Sequence, residues 1–319
     1  MRSIFILTKD QRRALLLDVL IVFLVLIIVV TGVSVYAGYK VMNPMKLAIL
    51  QLPSKYDLEY ENVTFPNIYD DVRLKGWWIP STNHDFISQK AVIFSHSYGD
   101  NRENMPIDTL KLAKRFSTEG FHVFMYDFRN SGESEKSYTT IGAKERTDLL
   151  SAIQYVKETK GIHNIALIGW SMGAATSIIV GSESDDVKAV IADSPFADLE
   201  EYTKKNFTYW TGLPNPIGKY MIDIAENVFI DLDLKEVKPY VAAKAYKDKG
   251  LMLIHSKKDG AISYKESEQI YQNAPNAELW ITKKGGHIRN YKHQKKAYED
   301  RIIHFIDKYI KDDYRFDRT

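Results

Sequence analysis

The chain has 319 residues, of which 45% are hydrophobic and 26% charged, and it contains no cysteine. This composition is typical of a folded globular protein, and it excludes a thiol nucleophile, a thiolate metal site and disulfide bonds. The net charge is only +2, and the residues before position 40 account for all of it. The rest of the chain therefore has no basic field with which to bind nucleic acid.

An apolar segment near the N-terminus, Val19–Tyr39, runs for 21 residues without a charged side chain. As a helix it would be about 30 Å long, which is the thickness of the hydrocarbon core of a bilayer. A buried core helix is seldom apolar on every face, and the apolar core of a cleavable signal peptide is usually shorter. We therefore favour an uncleaved anchor over a signal peptide. Residues 1–39 would form a short N-terminal segment and the membrane anchor, and residues 40–319 would form one folded domain.

Basic residues flank this predicted span unequally. Three lysines that follow it are diluted by acidic neighbours, whereas four basic residues precede it within 13 positions: Arg2, Lys9, Arg12 and Arg13. The positive-inside rule then favours a cytoplasmic N-terminus. We predict a single-pass protein of the cell membrane whose folded domain is extracytoplasmic.

Short apolar runs alternate with stretches of helical periodicity from residue 56 onward. The predicted strands are 56–65, 72–79, 91–94, 121–126, 165–169, 187–192, 251–255 and 277–281, and the predicted helices are 105–119, 143–160, 172–181, 264–273 and 292–311. Such alternation predicts an α/β fold with a mostly parallel central sheet flanked by helices. Ligands bind such sheets at the carboxyl ends of their strands, so we expect the functional residues there.

One segment interrupts the alternation. Residues 198–247 are rich in aromatic side chains and contain no strand pattern, although they lie between two predicted strands. A connection of this length must have structure of its own. We predict a helical cap insertion above the functional site, with Phe207, Tyr209 and Trp210 as candidate substrate-binding residues.

The segment Gly169-Trp170-Ser171-Met172-Gly173 lies between a predicted strand and a predicted helix of small residues. The pattern G-x-S-x-G in this setting is a nucleophile elbow, in which a sharp turn lifts the serine clear of the sheet. Glycines on both sides avoid collisions with the adjoining strand and helix. Ser171 is therefore our candidate nucleophile, and the backbone N–H of Met172 is a candidate donor to the oxyanion.

A serine nucleophile needs a general base. His287 follows the last predicted strand in Gly285-Gly286-His287, and it is the candidate base. His255 lies within the end of a strand, before the candidate acid, and we assign it a structural role. His293 and His304 fall on the final helix, where solvated or packing roles are expected.

The base in turn needs an acid that orients it, and in this type of site the order along the chain is serine, acid, histidine. Asp259 lies in the turn that follows the strand ending at His255, and it is the candidate acid. Asp193 follows the preceding strand and remains an alternative, although an aspartate before Ser-Pro is also a common turn former.

A second oxyanion donor should come from the loop after the strand at 91–94. That loop begins Ser95-His96-Ser97-Tyr98-Gly99, and the backbone N–H of Tyr98 is the candidate. We expect His96 to organise this loop rather than to act as a second base.

Together these motifs resemble the α/β-hydrolase superfamily over roughly Tyr56 to Lys311. Within it, the chain resembles bacterial membrane-anchored hydrolases related to the Bem46 and prolyl-oligopeptidase-like groups, with further matches at 126–134, 193–196 and 255–263. It departs from the family in having His96-Ser97 where His-Gly is usual. The resemblance implies hydrolysis of an ester, a thioester or a peptide.

The predicted function is cleavage of a carboxylic ester or related acyl bond through a covalent acyl-enzyme on Ser171. The expected substrate is a small-molecule acyl ester, and this chemistry requires neither a cofactor nor a metal. A serine peptidase of the S9 type remains an alternative, although no propeller domain is visible in the sequence. A non-catalytic surface binding protein with the same fold is a further alternative, which the set of Ser171, Asp259 and His287 disfavours.

Overall fold

The central sheet organises the molecule. The computed structural model describes residues 8–82, 88–211, 215–229 and 233–311, with the backbone alone for 209–211, 215–219 and 226. Within these residues the strands are β1 (Glu61–Pro66), β2 (Arg73–Ile79), β3 (Lys90–Ser95), β4 (His122–Tyr126), β5 (Asn164–Trp170), β6 (Val187–Asp193), β7 (Gly250–Ser256) and β8 (Glu278–Thr282). Their order is β1-β2-β4-β3-β5-β6-β7-β8. The strands β1 and β2 pair antiparallel, as do β2 and β4, and all other pairs are parallel.

Helices precede, connect and follow these strands. They are α1 (Lys9–Met42), α2 (Thr109–Thr118), α3 (Glu145–Lys160), α4 (Met172–Glu183), α5 (Leu199–Thr211), α6 (Asn215–Val228), α7 (Pro239–Ala242), α8 (Tyr264–Asn273), α9 (Asn290–His293) and α10 (Lys295–Asp307). Within the segment predicted as a cap, residues 199–211, 215–228 and 239–242 are α-helical, and residues 234–236 and 243–245 form 3₁₀ turns.

Hydrophobic layers cover both faces of the sheet. Along β5, Ile165 and Leu167 belong to the layer that includes side chains of α3, α4 and α8. The alternate residues Ala166 and Ile168 belong to the layer that includes side chains of α2 and α10. Successive side chains of a strand point to opposite faces, so a strand that is apolar throughout must be covered on both sides. The predicted α/β fold with a mostly parallel sheet is confirmed.

Most elements match the predicted ranges to within two residues, and three differ by more. The first strand begins at Glu61 rather than at residue 56, because Pro53–Tyr56 forms a 3₁₀ turn. The helix predicted from residue 105 begins at Thr109, since Asp108 has a φ of 67°, in the left-handed region that breaks a helix. The helix predicted for 292–311 is divided into α9 and α10 at Gln294, whose φ of −140° is not helical.

The chain divides into two compact units. One contains the described parts of Met1–Val41 and Lys204–Ile230, and the other contains those of Met42–Thr203 and Asp231–Thr319. The first unit thus joins α1 to part of the segment predicted as a cap. Helix α1 has 34 residues and a mean hydropathy of 3.2 in its most apolar window, none of which is buried. By length and composition this helix suits a membrane anchor or a signal sequence.

Within the first unit, the C-terminal part of α1 contacts α6. Ser34 and Gly38 are buried on α1, one helical turn apart. A Cβ atom added to Gly38 would lie 2.9 Å from a ring carbon of Phe229 and 3.1 Å from the Cβ of Ala225. The two segments therefore approach closely because residue 38 has no side chain.

This contact yields a prediction with a matched control. Gly38→Leu should force α1 and α6 apart, because overpacking of a close contact costs roughly 1–3 kcal/mol. Limited proteolysis of the full chain in detergent should then cut residues 204–230 faster than in the wild type. Gly32→Leu is the control, since a Cβ there has nothing within 4 Å. Equal cleavage rates for the two variants would contradict the role of Gly38.

Candidate active site

The junction of β5 and α4 holds Ser171 in an unusual backbone conformation. Ser171 has a φ of 54° and a ψ of −116°, and its N–H donates to Asp193 O at 2.9 Å. A Cβ on Gly169 would collide with the backbone of Gly173, and a Cβ on Gly173 would collide with the carbonyl of Ser95. Both glycines are therefore required for the turn, as the pattern G-x-S-x-G indicated. The side chain of Ser171 lies at the carboxyl edge of the sheet.

A continuous hydrogen-bonded chain links the three side chains selected from the sequence. The Oγ of Ser171 lies 3.0 Å from Nε2 of His287. On the other side of the ring, Nδ1 of His287 lies 2.8 Å from Oδ2 of Asp259. Because an ionised carboxylate only accepts, Nδ1 must carry a proton, which leaves Nε2 of the neutral ring free to accept the Ser171 hydroxyl proton.

The carboxylate of Asp259 is fully buried and held by its own loop. Its Oδ1 accepts the backbone N–H groups of Ala261 and Ile262, at 2.9 and 2.8 Å. Burial by itself raises the pKa of Asp259, but hydrogen bonds from His255 and His287 outweigh it and hold the pKa well below its usual range. The group is therefore ionised at neutral pH in a fixed orientation.

The loop that carries His287 depends on backbone conformations that favour glycine. Gly285 and Gly286 have φ values of 129° and 82°, and Ile288 has a φ of 53°. The loop is tied to two neighbouring strand ends, because Gly286 N donates to Ser256 Oγ at 3.2 Å and Ile288 N donates to Ser194 Oγ at 3.3 Å. These bonds fix the imidazole between Ser171 and Asp259.

Comparisons with known proteins agree with this fold. A family model described as the alpha/beta hydrolase fold matches residues 90–244. The Bacillus subtilis protein YqkD is 28% identical over 243 residues, which cover 73% of this chain and 75% of the relative. The Escherichia coli K12 protein YfhR is also 28% identical, with 74% and 77% covered. The solved Pyrococcus furiosus esterase Pf2001 is 27% identical, with a TM-score of 0.69 and coverage of 84% of this chain and 99% of that one.

The chain has the fold of the α/β-hydrolase superfamily. This fold, together with the similarity to a solved esterase over most of both chains, supports a hydrolytic function. The site described above lies where an α/β sheet binds its ligands, at the carboxyl ends of β5, β7 and β8.

The alternative acid of this hydrolase, Asp193, has other partners. Its Oδ1 accepts from Asn290 Nδ2 at 2.7 Å and from Ser194 Oγ at 2.9 Å. In the described part of the chain its carboxylate makes no hydrogen bond to His287. Complete burial raises the pKa of Asp193 to about 6, although Asn290 and Ser194 oppose the shift. Asp193 is thus a buried support beneath the His287 loop, a role that its place before Ser-Pro did not reveal.

The candidate oxyanion donors lie on two elements. Met172 is the first residue of α4, so its N–H has no acceptor within the helix. Tyr98 lies in the loop after β3, in the same connection as His96. The Nε2 of His96 accepts the N–H of Phe128 at 3.0 Å, which leaves the proton on Nδ1, facing Ser97 O at 2.8 Å. Burial lowers the pKa of His96, so the ring stays neutral and organises the loop.

The remaining candidates are placed as follows. Phe207 is buried and belongs to the unit that contains α1. The side chains of Tyr209 and Trp210 lie outside the described residues, so their assignment to substrate binding stays a prediction. His293 and His304 are exposed, in agreement with a solvated role. Ser194, Ser256 and Asn290 support the His287 loop. The sequence did not assign them this role, because each acts through a residue distant in the sequence.

Proposed function

We propose that this hydrolase is a carboxylesterase that uses Ser171 as nucleophile, His287 as general base and Asp259 as the acid that orients it. The observation that carries the proposal is the unbroken chain of hydrogen bonds from Ser171 Oγ through His287 to Asp259, with links of 3.0 and 2.8 Å. A hydroxyl, an imidazole and a buried carboxylate in this order are the groups that acyl transfer requires.

The proposed reaction has two steps. As Ser171 Oγ attacks the carbonyl carbon of an ester, its proton passes to Nε2 of His287, and Asp259 stabilises the imidazolium through Nδ1–H. The N–H groups of Met172 and Tyr98 would stabilise the oxyanion. Collapse of this intermediate transfers the proton to the departing alcohol and leaves an acyl ester on Ser171. Water, deprotonated by His287, then attacks that ester and releases the carboxylic acid and the free serine.

The backbone at Ser171 favours this proposal over a binding protein without activity. A serine with a φ of 54° is in a conformation that side-chain-bearing residues seldom adopt. Such strain costs roughly 1–3 kcal/mol and persists at sites where function requires it. A protein that used the fold only for binding would have no need to hold Ser171 in this conformation.

Labelling with a fluorophosphonate tests the proposal on the full chain in detergent. The reagent should modify one serine, and mass spectrometry of a digest should place the adduct on Ser171. Prior incubation with a short p-nitrophenyl ester should slow the labelling, because the substrate acylates the same oxygen. Absence of an adduct would refute the function, whereas turnover of peptide anilides faster than of esters would favour a peptidase.

We further propose that α1 anchors the protein in the cell membrane, with the catalytic domain outside. Four basic residues before the apolar stretch support this orientation. Since the chain has no cysteine, Lys55→Cys introduces a single exposed thiol beyond the helix. A membrane-impermeant maleimide should label it in intact cells, whereas Lys9→Cys should react only after permeabilisation. The opposite pattern would reverse the topology, and release of a shortened chain into the medium would indicate a signal peptide.

A further inference from the structure

His255 occupies a specific position beside the carboxylate of Asp259. It lies near the end of β7 and its side chain is fully buried. Its Nε2 lies 2.9 Å from the carbonyl oxygen of Ile262 and 3.2 Å from Oδ2 of Asp259. On the other side of the ring, Nδ1 lies 2.7 Å from Oγ of Ser267, on α8. Both ring nitrogens thus have polar partners within the protein.

These partners determine where the ring carries its proton. A backbone carbonyl and an ionised carboxylate can only accept, so Nε2 of His255 must be the donor to Ile262 and Asp259. In the neutral ring, Nδ1 then accepts the hydroxyl proton of Ser267. This arrangement pairs every polar atom of a buried imidazole: the acceptors at Nε2 fix the tautomer that offers a proton to Asp259, and Ser267 supplies the matching donor to Nδ1.

The oxygen that His255 approaches is the one that holds His287. Oδ1 of Asp259 is occupied by the backbone N–H groups of Ala261 and Ile262. Oδ2 accepts from Nδ1 of His287 at 2.8 Å and faces Nε2 of His255 at 3.2 Å. The negative charge of this oxygen is therefore shared between two imidazole donors in a buried environment, where such hydrogen bonds are strong.

We propose that His255 is a positioning residue. Through the shared oxygen of Asp259, it controls how strongly this carboxylate orients His287 and how strongly it stabilises the protonated imidazole. The inference rests on the proposed function. When His255 donates to Oδ2, it withdraws negative charge from the bond to His287 and prevents the carboxylate from rotating. Without His255, Oδ2 becomes a stronger acceptor, protonated His287 is stabilised, and the base becomes neutral only at higher pH.

Asp193 is the other titratable group that must be considered. It lies on β6, next to β7, and interacts electrostatically with His255. Because burial raises the pKa of Asp193 to about 6, its ionisation falls near the acid limb of a serine hydrolase profile. Each measurement is therefore repeated in an Asp193→Asn background, where this group no longer titrates.

The test is the pH dependence of kcat/KM for a p-nitrophenyl ester, measured on the full chain. His255→Leu, which removes the donor at similar volume, should move the midpoint of the acid limb upward by about half a pH unit or more, since hydrogen bonds to charged groups are among the strong ones. The value of kcat should fall while KM changes little. His255→Gln, which retains an amide donor, should restore part of both properties.

Ser267→Ala provides a milder variant if His255→Leu fails to fold. It leaves the ring in place and removes the hydroxyl that makes Nε2–H a good donor, so the acid limb should move in the same direction by a smaller amount. If each variant loses activity by the same factor at every pH, and the midpoint of the acid limb does not move, His255 is only a packing residue. Fluorophosphonate labelling distinguishes failure of this inference from failure of the proposed function. Normal labelling of Ser171 with an unmoved midpoint would refute the role of His255 and leave the proposed function intact.

Discussion

Replacement of Ser171 by alanine is expected to abolish hydrolysis of short p-nitrophenyl esters. The change removes the oxygen that lies 3.0 Å from His287 Nε2 and that would form the acyl intermediate. Loss of the nucleophile in a well-studied serine protease lowers kcat by about 10⁶, and only the background supplied by oxyanion stabilisation and binding remains. Turnover should be followed by release of p-nitrophenol from the full chain in detergent.

The variant should remain folded. Alanine has the same backbone constraints as serine, and the hydroxyl is a small group whose loss should change the free energy of unfolding by less than about 1 kcal/mol. Ser177→Ala is a matched control on α4, the helix that follows Ser171, since Ser177 is buried and its hydroxyl has no hydrogen-bond partner among the described residues. That control should retain activity. Near-normal turnover by Ser171→Ala would move the nucleophile to another residue.

Asp259→Asn is expected to lower turnover by up to about 10⁴, the loss that the same change causes in a well-studied protease. The structure indicates why. The N–H groups of Ala261 and Ile262 would keep the amide oxygen at the position of Oδ1, so the NH₂ group would take the place of Oδ2. A donor would then face Nδ1 of His287, and the ring would carry its proton on Nε2, where it cannot accept one from Ser171.

Asp193→Asn should cost less than tenfold. Its amide oxygen can still accept from Asn290 and Ser194, and so preserve the support of the His287 loop. The two variants are compared through kcat/KM at a pH of about 8, with the fraction of folded protein measured in parallel. A larger loss for Asp193→Asn than for Asp259→Asn would assign the orienting acid to the end of β6.

Asp193→Asn also has a signature in stability. Burial raises the pKa of this carboxyl to about 6 in the folded state, whereas an unfolded aspartate ionises near 3.9. Ionisation therefore destabilises the folded protein increasingly as the pH rises from about 4 to about 6, and the cost persists above that range. Relative to the wild type, the Tm of the variant should be higher at a pH of about 8 than at a pH of about 4. An equal difference at both pH values would mean that Asp193 does not titrate in this window.

The order of strands and helices could be predicted because it depends on local periodicity. Wholly apolar runs such as the one at Ile165–Ile168 are covered on both faces, and the helices between them follow from amphipathic spacing. Boundaries were less predictable where one residue leaves the helical region. Asp108 and Gln294 interrupt helices through backbone angles that their residue types do not dictate.

In the candidate site, too, some features could be predicted from local sequence and others depend on tertiary structure. Ser171 and its glycines could be selected from the sequence because the elbow is a local motif whose turn admits no side chain on either flank. The choice between Asp193 and Asp259 could not be made in this way, since both follow strands that end at the same edge of the sheet. Only the course of the Gly285–Ile288 loop brings His287 to one carboxylate and leaves the other with Asn290.

The sequence by itself determined the fold class, the apolar N-terminal helix and the candidates Ser171 and His287, because each is indicated by residues close together in the chain. Tertiary structure alone decided that His255 shares an oxygen of Asp259 with His287, and that the end of α1 packs on Ala225 and Phe229. Such contacts join residues on different elements, and their energies depend on distances of a few ångströms that no local pattern specifies.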